Sequence, residues 1–172
     1  EALLQAGYHQ NVVVQKLRND PEAQFDQKKI ASQICTELGE FYQSQKSDRA
    51  IPMFQEALRH DETNVKAMLL LARMHMNAND LDACENQCND ILRVSPTCED
   101  ATVMLADVTY RRNRFDDAAF HFQQLLDRAP ENYSALYQFL NLLRKAGRLR
   151  DKVAEESLKK AERALKPGQP MP

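Results

Sequence analysis

The sequence predicts an all-α fold, a solenoid of antiparallel helix pairs, from three observations. Only four of the 172 residues are Gly and none is Trp, whereas residues that favour helix are abundant. Small residues recur at a fixed step of 34 residues, as in Ala50, Cys84 and Ala118 (84−50 and 118−84). Proline recurs at the same step, at Pro96 and Pro130, where it would end a helix. A period of this length is typical of stacked helical units.

The step divides the chain into four units, which we interpret as one continuous solenoid domain. Further series at the same step are Phe54, Cys88 and Phe122; Ala57, Ile91 and Leu125; and Leu58, Leu92 and Leu126. The units are residues 31–64 as repeat 1, 65–98 as repeat 2, 99–132 as repeat 3 and 133–166 as repeat 4. The predicted structural core consists of Ala50, Phe54, Ala72, Cys84, Cys88, Ala106, Ala118, Phe122, Leu125, Pro96 and Pro130.

Residues 1–30 precede the first repeat and are predicted to contain one helix and a linker. Residues 2–18 suit a helix that belongs to a preceding repeat, although their run of three valines also suits a strand. Asp20 and Pro21 form a helix start, with Asp as the cap and Pro in the first turn. One long helix from Pro21 to about Ser44 would then enter repeat 1.

Repeat 3 is the most regular unit, and its first helix carries a buried face. Leu105, Ala106 and Thr109 share that face, and the small side chain of Ala106 would let a second helix approach closely. Asn113 and Arg114 form the predicted break between the two helices.

The second helix of repeat 3 is predicted from a cap, a stripe and a stop. Asp116 is placed to cap the helix by accepting a backbone N–H. Ala118, Phe122 and Leu125 form an inward stripe at helical spacing, and Pro130 ends the pair.

The other repeats follow this pattern less closely. Ile34, Leu38 and Phe41 are predicted to line the first helix of repeat 1. In repeat 4, Gly147 occupies the turn. The second helix of repeat 4 fits the pattern only after an insertion of two residues, so we expect it to be irregular or extended. Residues 167–172 are expected to be a disordered tail.

The four cysteines, Cys35, Cys84, Cys88 and Cys98, are predicted to be free thiols because a helical chain of this length does not need disulfides. Cys84 and Cys88 share a helix face and could in principle bind a metal. No second cysteine or histidine pair at ligand spacing completes a tetrahedral set, so a buried core role is the better interpretation. We therefore predict no metal and no cofactor.

The charge pattern disfavours two classes of partner. The formal net charge is −2, which favours neither nucleic acid nor an anionic membrane. The longest apolar run, residues 67–72, is too short to span a bilayer. Residues 144–166 contain nine Lys or Arg against four Asp or Glu. This segment is either a solvated helix face or a surface for an acidic partner.

No motif for catalysis is evident. The histidines His9, His60, His75 and His121 lie in separate segments, and none has a Ser or Cys partner at a motif spacing. The sequence contains neither a glycine-rich phosphate loop nor HExxH. We predict no enzyme and no catalytic residue.

The 34-residue period and the helix–turn–helix pattern resemble the tetratricopeptide repeat, which implies an all-α superhelix. In that family the first helices line a concave groove that binds proteins. The resemblance implies the following groove residues here: Lys66, Leu69, Leu70, Arg73, Met76, Asp100, Val103, Met104, Asp107, Tyr110, Tyr137, Gln138 and Asn141. These residues are more apolar than a solvated wall requires. Either curvature buries part of them, or they form a groove for a helix or an extended segment.

One known use of such grooves is not supported. Co-chaperone repeats of this class hold a terminal carboxylate with Lys, Asn and Arg. The corresponding positions here are Cys35, Gly39, Leu70, Asp100 and Met104, so that clamp is missing.

A more specific resemblance is to the large tetratricopeptide-repeat subunits of intraflagellar transport complex A, towards their C-terminal region. It is carried by the LDACENQCNDIL stretch (81–92), the ATVMLAD run and the AxFHFQQLLDRxPxNY run. The resemblance covers residues 30–151.

This resemblance implies a non-catalytic scaffold segment that docks other subunits and supports retrograde ciliary transport and cilium assembly. The implied partners are propeller-plus-solenoid subunits and a small extended subunit within a large hetero-oligomer. The implied location is the cytoplasm, the cilium or flagellum, and its base. The alternative is a general tetratricopeptide-repeat adaptor in another cytosolic assembly.

Overall fold

A computed structural model describes residues 2–16, 21–147 and 152–164, and these ranges fold into helices with no strand among them. The helices are α1 (Ala2–Lys16), α2 (Pro21–Ser44), α3 (Ala50–His60), α4 (Val65–Asn77), α5 (Leu81–Val94), α6 (Glu99–Arg111), α7 (Phe115–Arg128), α8 (Tyr133–Lys145) and α9 (Lys152–Ala164). The predicted all-α class is confirmed. The chain divides into two compact units, residues 1–95 and 96–172.

Unit 1 (residues 1–95) contains α1 to α5. The long helix α2 packs against α1 and pairs with α3, while α4 packs against both α3 and α5. Gln10 Nε2 donates to the backbone oxygen of Gln27 over 3.2 Å and joins α1 to α2. One core cluster contains Ala50, Phe54 and Leu71, all less than 5% exposed.

Unit 2 (residues 96–172) contains α6 to α9. Ala106, Ala118, Phe122, Leu125, Leu126, Ala135, Leu136, Phe139, Leu142 and Leu143 form one buried cluster. The rings of Phe122 and Phe139 pack with their centroids 5.7 Å apart, which joins α7 to α8. Burial of these side chains supplies the main driving force for stacking the pairs.

Most of the predicted core residues are buried, but the two prolines are not. Ala50, Phe54, Ala72, Cys84, Cys88, Ala106, Ala118, Phe122 and Leu125 are between 0% and 4% exposed. Pro96 is exposed and Pro130 is half-buried. They lie outside the core because α5 ends at Val94 and α7 at Arg128, just before each proline.

The turn within a helix pair recurs with the same backbone geometry. Asn79, Asn113 and Gly147 have φ of 58°, 60° and 70°, in the left-handed region, and they are 34 residues apart (113−79 and 147−113). After Asn79, the N–H of Asp80 donates to the oxygen of His75 over 2.9 Å. Arg114 and Thr109 make the same bond after Asn113. This is the six-residue closure that satisfies the last carbonyls of a helix.

Side-chain caps vary between repeats, and the predicted cap at Asp116 is wrong. Asp116 lies within the first turn of α7, whose N-cap is Arg114 and has no side-chain cap. Asp80, the counterpart of Arg114 in repeat 2, does cap α5: its side chain accepts from the N–H of Ala83 at 3.1 Å. Because α7 begins at Phe115, Asp116 lies past the N-cap position, where its negative charge is favourable to the helix dipole.

Two predictions concern the ends of the chain. Residues 2–16 form α1, as expected of part of the 2–18 segment, and α2 has the predicted bounds; Asp20 lies outside the described residues. In repeat 4, Lys152–Ala164 is a regular α-helix of 13 residues, so the expected irregularity is absent from this range. The predicted tail, residues 167–172, lies outside the described residues.

Candidate protein-binding surfaces

The groove residues implied by the resemblance to the tetratricopeptide repeat lie on α4 in unit 1 and on α6 and α8 in unit 2. On α4, Lys66 and Arg73 are exposed, while Leu69 and Met76 are half-buried. Lys66 Nζ lies 2.8 Å from Glu40 Oε2 of α2, so its charge is partly neutralised. These residues form a mixed surface with charged edges.

Leu70 has a different environment from its neighbours on α4. It is half-buried and packs against the core cluster of Ala50, Phe54 and Leu71. Leu70 therefore supports the α3–α4 contact, and only part of its side chain is available to a partner.

In unit 2, four of the predicted residues line one pocket of about 170 Å³. They are Asp107 and Tyr110 of α6 and Gln138 and Asn141 of α8. The remaining lining residues are Phe122, Leu142 and Lys145. The fold thus brings residues 31 positions apart in sequence (138−107) to a single concavity.

This α6–α8 pocket has an apolar base and a polar rim. Phe122 and Leu142 are buried and provide the base, while the carboxamides of Gln138 and Asn141 provide donors and acceptors at the rim. Tyr110 is half-buried, and its ring makes an edge contact with Phe115 at 5.4 Å between centroids. A pocket of this kind suits one apolar side chain of a partner together with its main chain.

Two side-chain pairs at the pocket include a charged group, Arg111 with Asp107 and Lys145 with Tyr110. Arg111 Nη2 and Nε lie 2.9 and 3.1 Å from Asp107 Oδ2, so this carboxylate is held by its own helix. Lys145 Nζ lies 5.7 Å from the centroid of the Tyr110 ring, within the range of a cation–π contact. The Lys145 ammonium is the cation nearest the pocket's aromatic edge and can meet an acidic group of a partner.

The other predicted residues of unit 2 differ in exposure, and one prediction is wrong. Tyr137 is 63% exposed and Asp100 is exposed, whereas Val103 packs partly against the core. Met104, predicted as a surface anchor, is only 8% exposed. It lies between Ala101 and Val108 on the same helix face, and both are fully buried.

Sequence reasoning missed three lining residues. Lys145 follows Asn141 by four positions and Gln138 by seven, so its place on the same face of α8 was detectable. Phe122 and Leu142 follow the core pattern, and nothing in the sequence signals that part of their surface is accessible. The accessibility of these two side chains depends on the distance between α6 and α8.

The cysteines lie in packed surroundings. Cys84 and Cys88 are fully buried in α5, and Cys35 is 5% exposed. Burial, with a smaller effect from the Glu56 carboxylate, raises the pKa of the Cys35 thiol to about 11. Cys35 is therefore a protonated, weakly nucleophilic thiol at neutral pH. Among the residues that the structure describes, no group of three or more His, Cys, Asp or Glu could hold a metal.

Comparison with known families identifies the repeat. Residues 41–107 match a tetratricopeptide-repeat family, and residues 99–171 match the family described as TT21 fifth ARM repeats domain. The chain belongs to the tetratricopeptide-repeat family. This confirms the resemblance seen in the 34-residue period.

Known relatives and solved structures agree with this assignment. The chain is 34% identical to tetratricopeptide repeat protein 21A of Mus musculus over 145 residues, which is 84% of this chain and 11% of that protein. It thus spans about a ninth of that relative's length. The crystal structure of MamA matches with a TM-score of 0.68 at 16% identity, covering 96% of this chain and 97% of MamA.

A second solved structure has a bound peptide. The first tetratricopeptide-repeat domain of Spaghetti (RPAP3), bound to the HSP90 peptide SRMEEVD, matches with a TM-score of 0.61 at 16% identity. It covers 67% of this chain and 95% of that domain. At this identity the likeness establishes the fold alone. None of the described helices is both long and apolar enough to pass through a membrane.

Proposed function

We propose that this chain is a non-catalytic scaffold segment of intraflagellar transport complex A that docks other subunits of the complex. The observation that carries the proposal is the 34% identity to tetratricopeptide repeat protein 21A over 84% of the chain. We infer that this relative belongs with the subunit family that the sequence resembles. In this role the segment supports retrograde ciliary transport and cilium assembly, in the cytoplasm, the cilium or flagellum, and its base.

The α6–α8 pocket is the docking surface that we assign to unit 2. Its apolar base takes one side chain of a partner, and the Gln138 and Asn141 carboxamides bind the partner's main chain. Tyr137, 63% exposed beside Gln138, adds apolar contact area at low entropic cost. The partners that we propose are a propeller-plus-solenoid subunit and a small extended subunit of the same complex.

The test compares two exposed aromatic residues of unit 2. Tyr137→Glu adds a charge beside the pocket, whereas Phe120→Glu adds the same charge on α7, at a residue 55% exposed that does not line the pocket. We expect the complex subunits to co-purify with the protein bearing Phe120→Glu and to be lost from the one bearing Tyr137→Glu. Far-UV circular dichroism of both variants should match the wild type.

Two outcomes would contradict the proposal. If both variants retain the subunits, the α6–α8 pocket is not the docking surface. If the wild-type protein co-purifies with another cytosolic assembly and not with the ciliary complex, it is a general tetratricopeptide-repeat adaptor. An HSP90 peptide SRMEEVD should not bind, because the Lys, Asn and Arg positions of the carboxylate clamp hold other residues here.

A further inference from the structure

Unit 1 contains a second concavity, on the side of α4 opposite to the predicted groove residues Lys66, Leu69 and Arg73. Successive residues of an α-helix are about 100° apart, so Lys66, Leu69 and Arg73 lie roughly 140–200° around α4 from Leu71. Leu71 and His75, four positions apart, share the face of α4 that meets α3 and α5. The space between α3 and α5 above this face is a groove of about 440 Å³.

The groove between α3 and α5 has an apolar floor. Leu71 is 4% exposed, and Leu58 and Ala83 are half-buried beside it. Leu58 also packs against the core clusters below, so its position is fixed. When a side chain of a partner covers this floor, apolar surface is removed from water, and this favours binding.

The walls of the groove carry three carboxamides. Gln55 of α3 and Asn86 of α5 are exposed, and Gln87 of α5 is half-buried. A carboxamide offers both a donor and an acceptor, which are the groups that a peptide unit requires. The backbone groups of a helical partner are already paired within the helix, whereas an extended segment has them free. The walls therefore favour an extended partner.

The charge of the groove selects among extended partners. Its lining contains two carboxylates, Glu62 and Asp90, and one guanidinium, Arg59. Arg59 Nη1 is held 2.7 Å from Glu56 Oε2, and Asp90 Oδ1 is held 2.9 Å from Arg93 Nη1, so both charges are offset by groups outside the lining. The exposed carboxylate of Glu62 is then the acidic group that the lining offers, and it complements a basic side chain.

We propose that the α3–α5 groove is a second protein-docking surface, distinct from the α4 and α6–α8 surfaces, that binds an extended basic segment of a partner. An aliphatic side chain of the segment covers Leu58 and Ala83. Its main chain pairs with the carboxamides, and a Lys or Arg faces Glu62. The proposal is independent of the ciliary assignment.

The test uses a displayed library of random dodecapeptides, selected on the wild-type chain, followed by affinity measurement for the enriched peptides by fluorescence polarisation. We expect a class of peptides with an aliphatic residue near a Lys or Arg. Their affinity should fall about tenfold for Gln55→Ala with Gln87→Ala, which removes two carboxamides. Asn89→Ala, on an exposed residue of α5 outside the lining, is the matched control and should change affinity by less than about twofold.

A charge reversal separates loss of binding from loss of folding. The variant Glu62→Lys should reject the basic peptides and enrich acidic ones when the selection is repeated on it. Asp26→Lys, on an exposed residue of α2, should keep the original preference. The proposal is overturned if no peptide is enriched, if the enriched peptides bind all variants equally, or if charge reversal leaves the preference unchanged.

Discussion

The first helices of repeats 1 and 2, α2 and α4, both lie in unit 1 and differ by one residue in register. In repeat 2, the fully buried Ala72 comes seven positions before Asn79, the left-handed residue of the turn. A step of 34 residues would place their counterparts at positions 38 and 45. The structure instead has Gly39 and Lys46, which are also seven positions apart.

This shift explains an error in the predicted lining of α2. Leu38 is buried as expected, but Ile34 is only half-buried and Phe41 is 52% exposed. Gly39 is the small residue that meets Phe54 of α3. The comparison shows that the distance from the small residue to the turn is the geometric constraint, because it sets how the two helices face each other. The 34-residue step fails at the first helix of repeat 1 because the turn residue lies eight positions before the buried Phe54 (54−46), against nine before Cys88 in repeat 2 (88−79).

The largest effect that would test this register is expected from Gly39→Ala. A Cβ at position 39 would lie 2.7 Å from Cδ1 and 2.9 Å from Cζ of Phe54, whose side chain is fully buried. We expect the free energy of unfolding to fall by about 3 kcal/mol, measured by urea denaturation, because the ring has no free space to occupy.

Two companion variants make this prediction specific. Phe54→Cys, which copies Cys88 of repeat 2, should reduce the cost of Gly39→Ala in a double-mutant cycle. Gly7→Ala is the matched control, since its Cβ would lie 3.5 Å from Leu38 Cδ1, an ordinary contact, and should stabilise α1 by up to ~1 kcal/mol. Equal effects of the two alanine substitutions would contradict the register.

The next largest effect is expected at the regular small position of repeat 3. Ala106 is fully buried within the core of unit 2, so Ala106→Leu should lower the free energy of unfolding by roughly 2 kcal/mol through overpacking. Thermal unfolding monitored at 222 nm in the far ultraviolet measures the change. An unaltered melting temperature would show that the paired helices do not approach at Ala106.

A smaller effect is expected from exchanging caps between repeats 2 and 3. Arg114 has φ −90° and ψ 69°, close to the −83° and 79° of the capping Asp80. Arg114→Asp should therefore stabilise the chain by about 1 kcal/mol, and Asp80→Ala should destabilise it by a similar amount. Urea denaturation of both variants checks the pair; destabilisation by Arg114→Asp would mean that the Arg114 side chain contributes more than a cap.

The smallest effect concerns the displaced turn of repeat 1. Lys46 has φ 52°, a conformation that is strained for a residue with a Cβ and free of strain for glycine. Lys46→Gly should raise the free energy of unfolding by roughly 0.5 kcal/mol. Lys46→Ala, which removes the charge but keeps the Cβ, is the control and should bring no gain.

The sequence predicts the repeated features of this fold well because they arise from local chemistry. Bulky apolar residues at helical spacing set α4 to α8, and proline after a stripe ends α5 and α7. The turns at Asn113 and at Gly147 were also predicted from the local sequence. The register of α2 was not predicted, since one residue fewer between its turn and α3 leaves the local pattern of both helices unchanged.

The candidate surfaces could be predicted only in part. The template selects the outward faces of α6 and α8, and Tyr110, Gln138 and Asn141 do meet at one pocket. The repeat pattern does not determine how deeply a side chain is buried, which is why Met104 was predicted among the groove residues although it is only 8% exposed. The α3–α5 groove was not predicted at all, because Gln55, Asn86 and Gln87 are ordinary polar surface residues in sequence and are brought together only by the packing of α3 and α5 on α4.

The long helix α2 has a consequence for where the chain can be cut. Its 24 residues run without a break from the contact with α1 to the contact with α3, so one hydrogen-bonded rod belongs to two neighbouring helix pairs. At about 1.5 Å per residue this rod is roughly 36 Å long. A junction of this kind presents no exposed loop to a protease and no tip at which the chain could be opened and rejoined. Cleavage or insertion within α2 would therefore disrupt the α1–α2 and the α2–α3 pairs together.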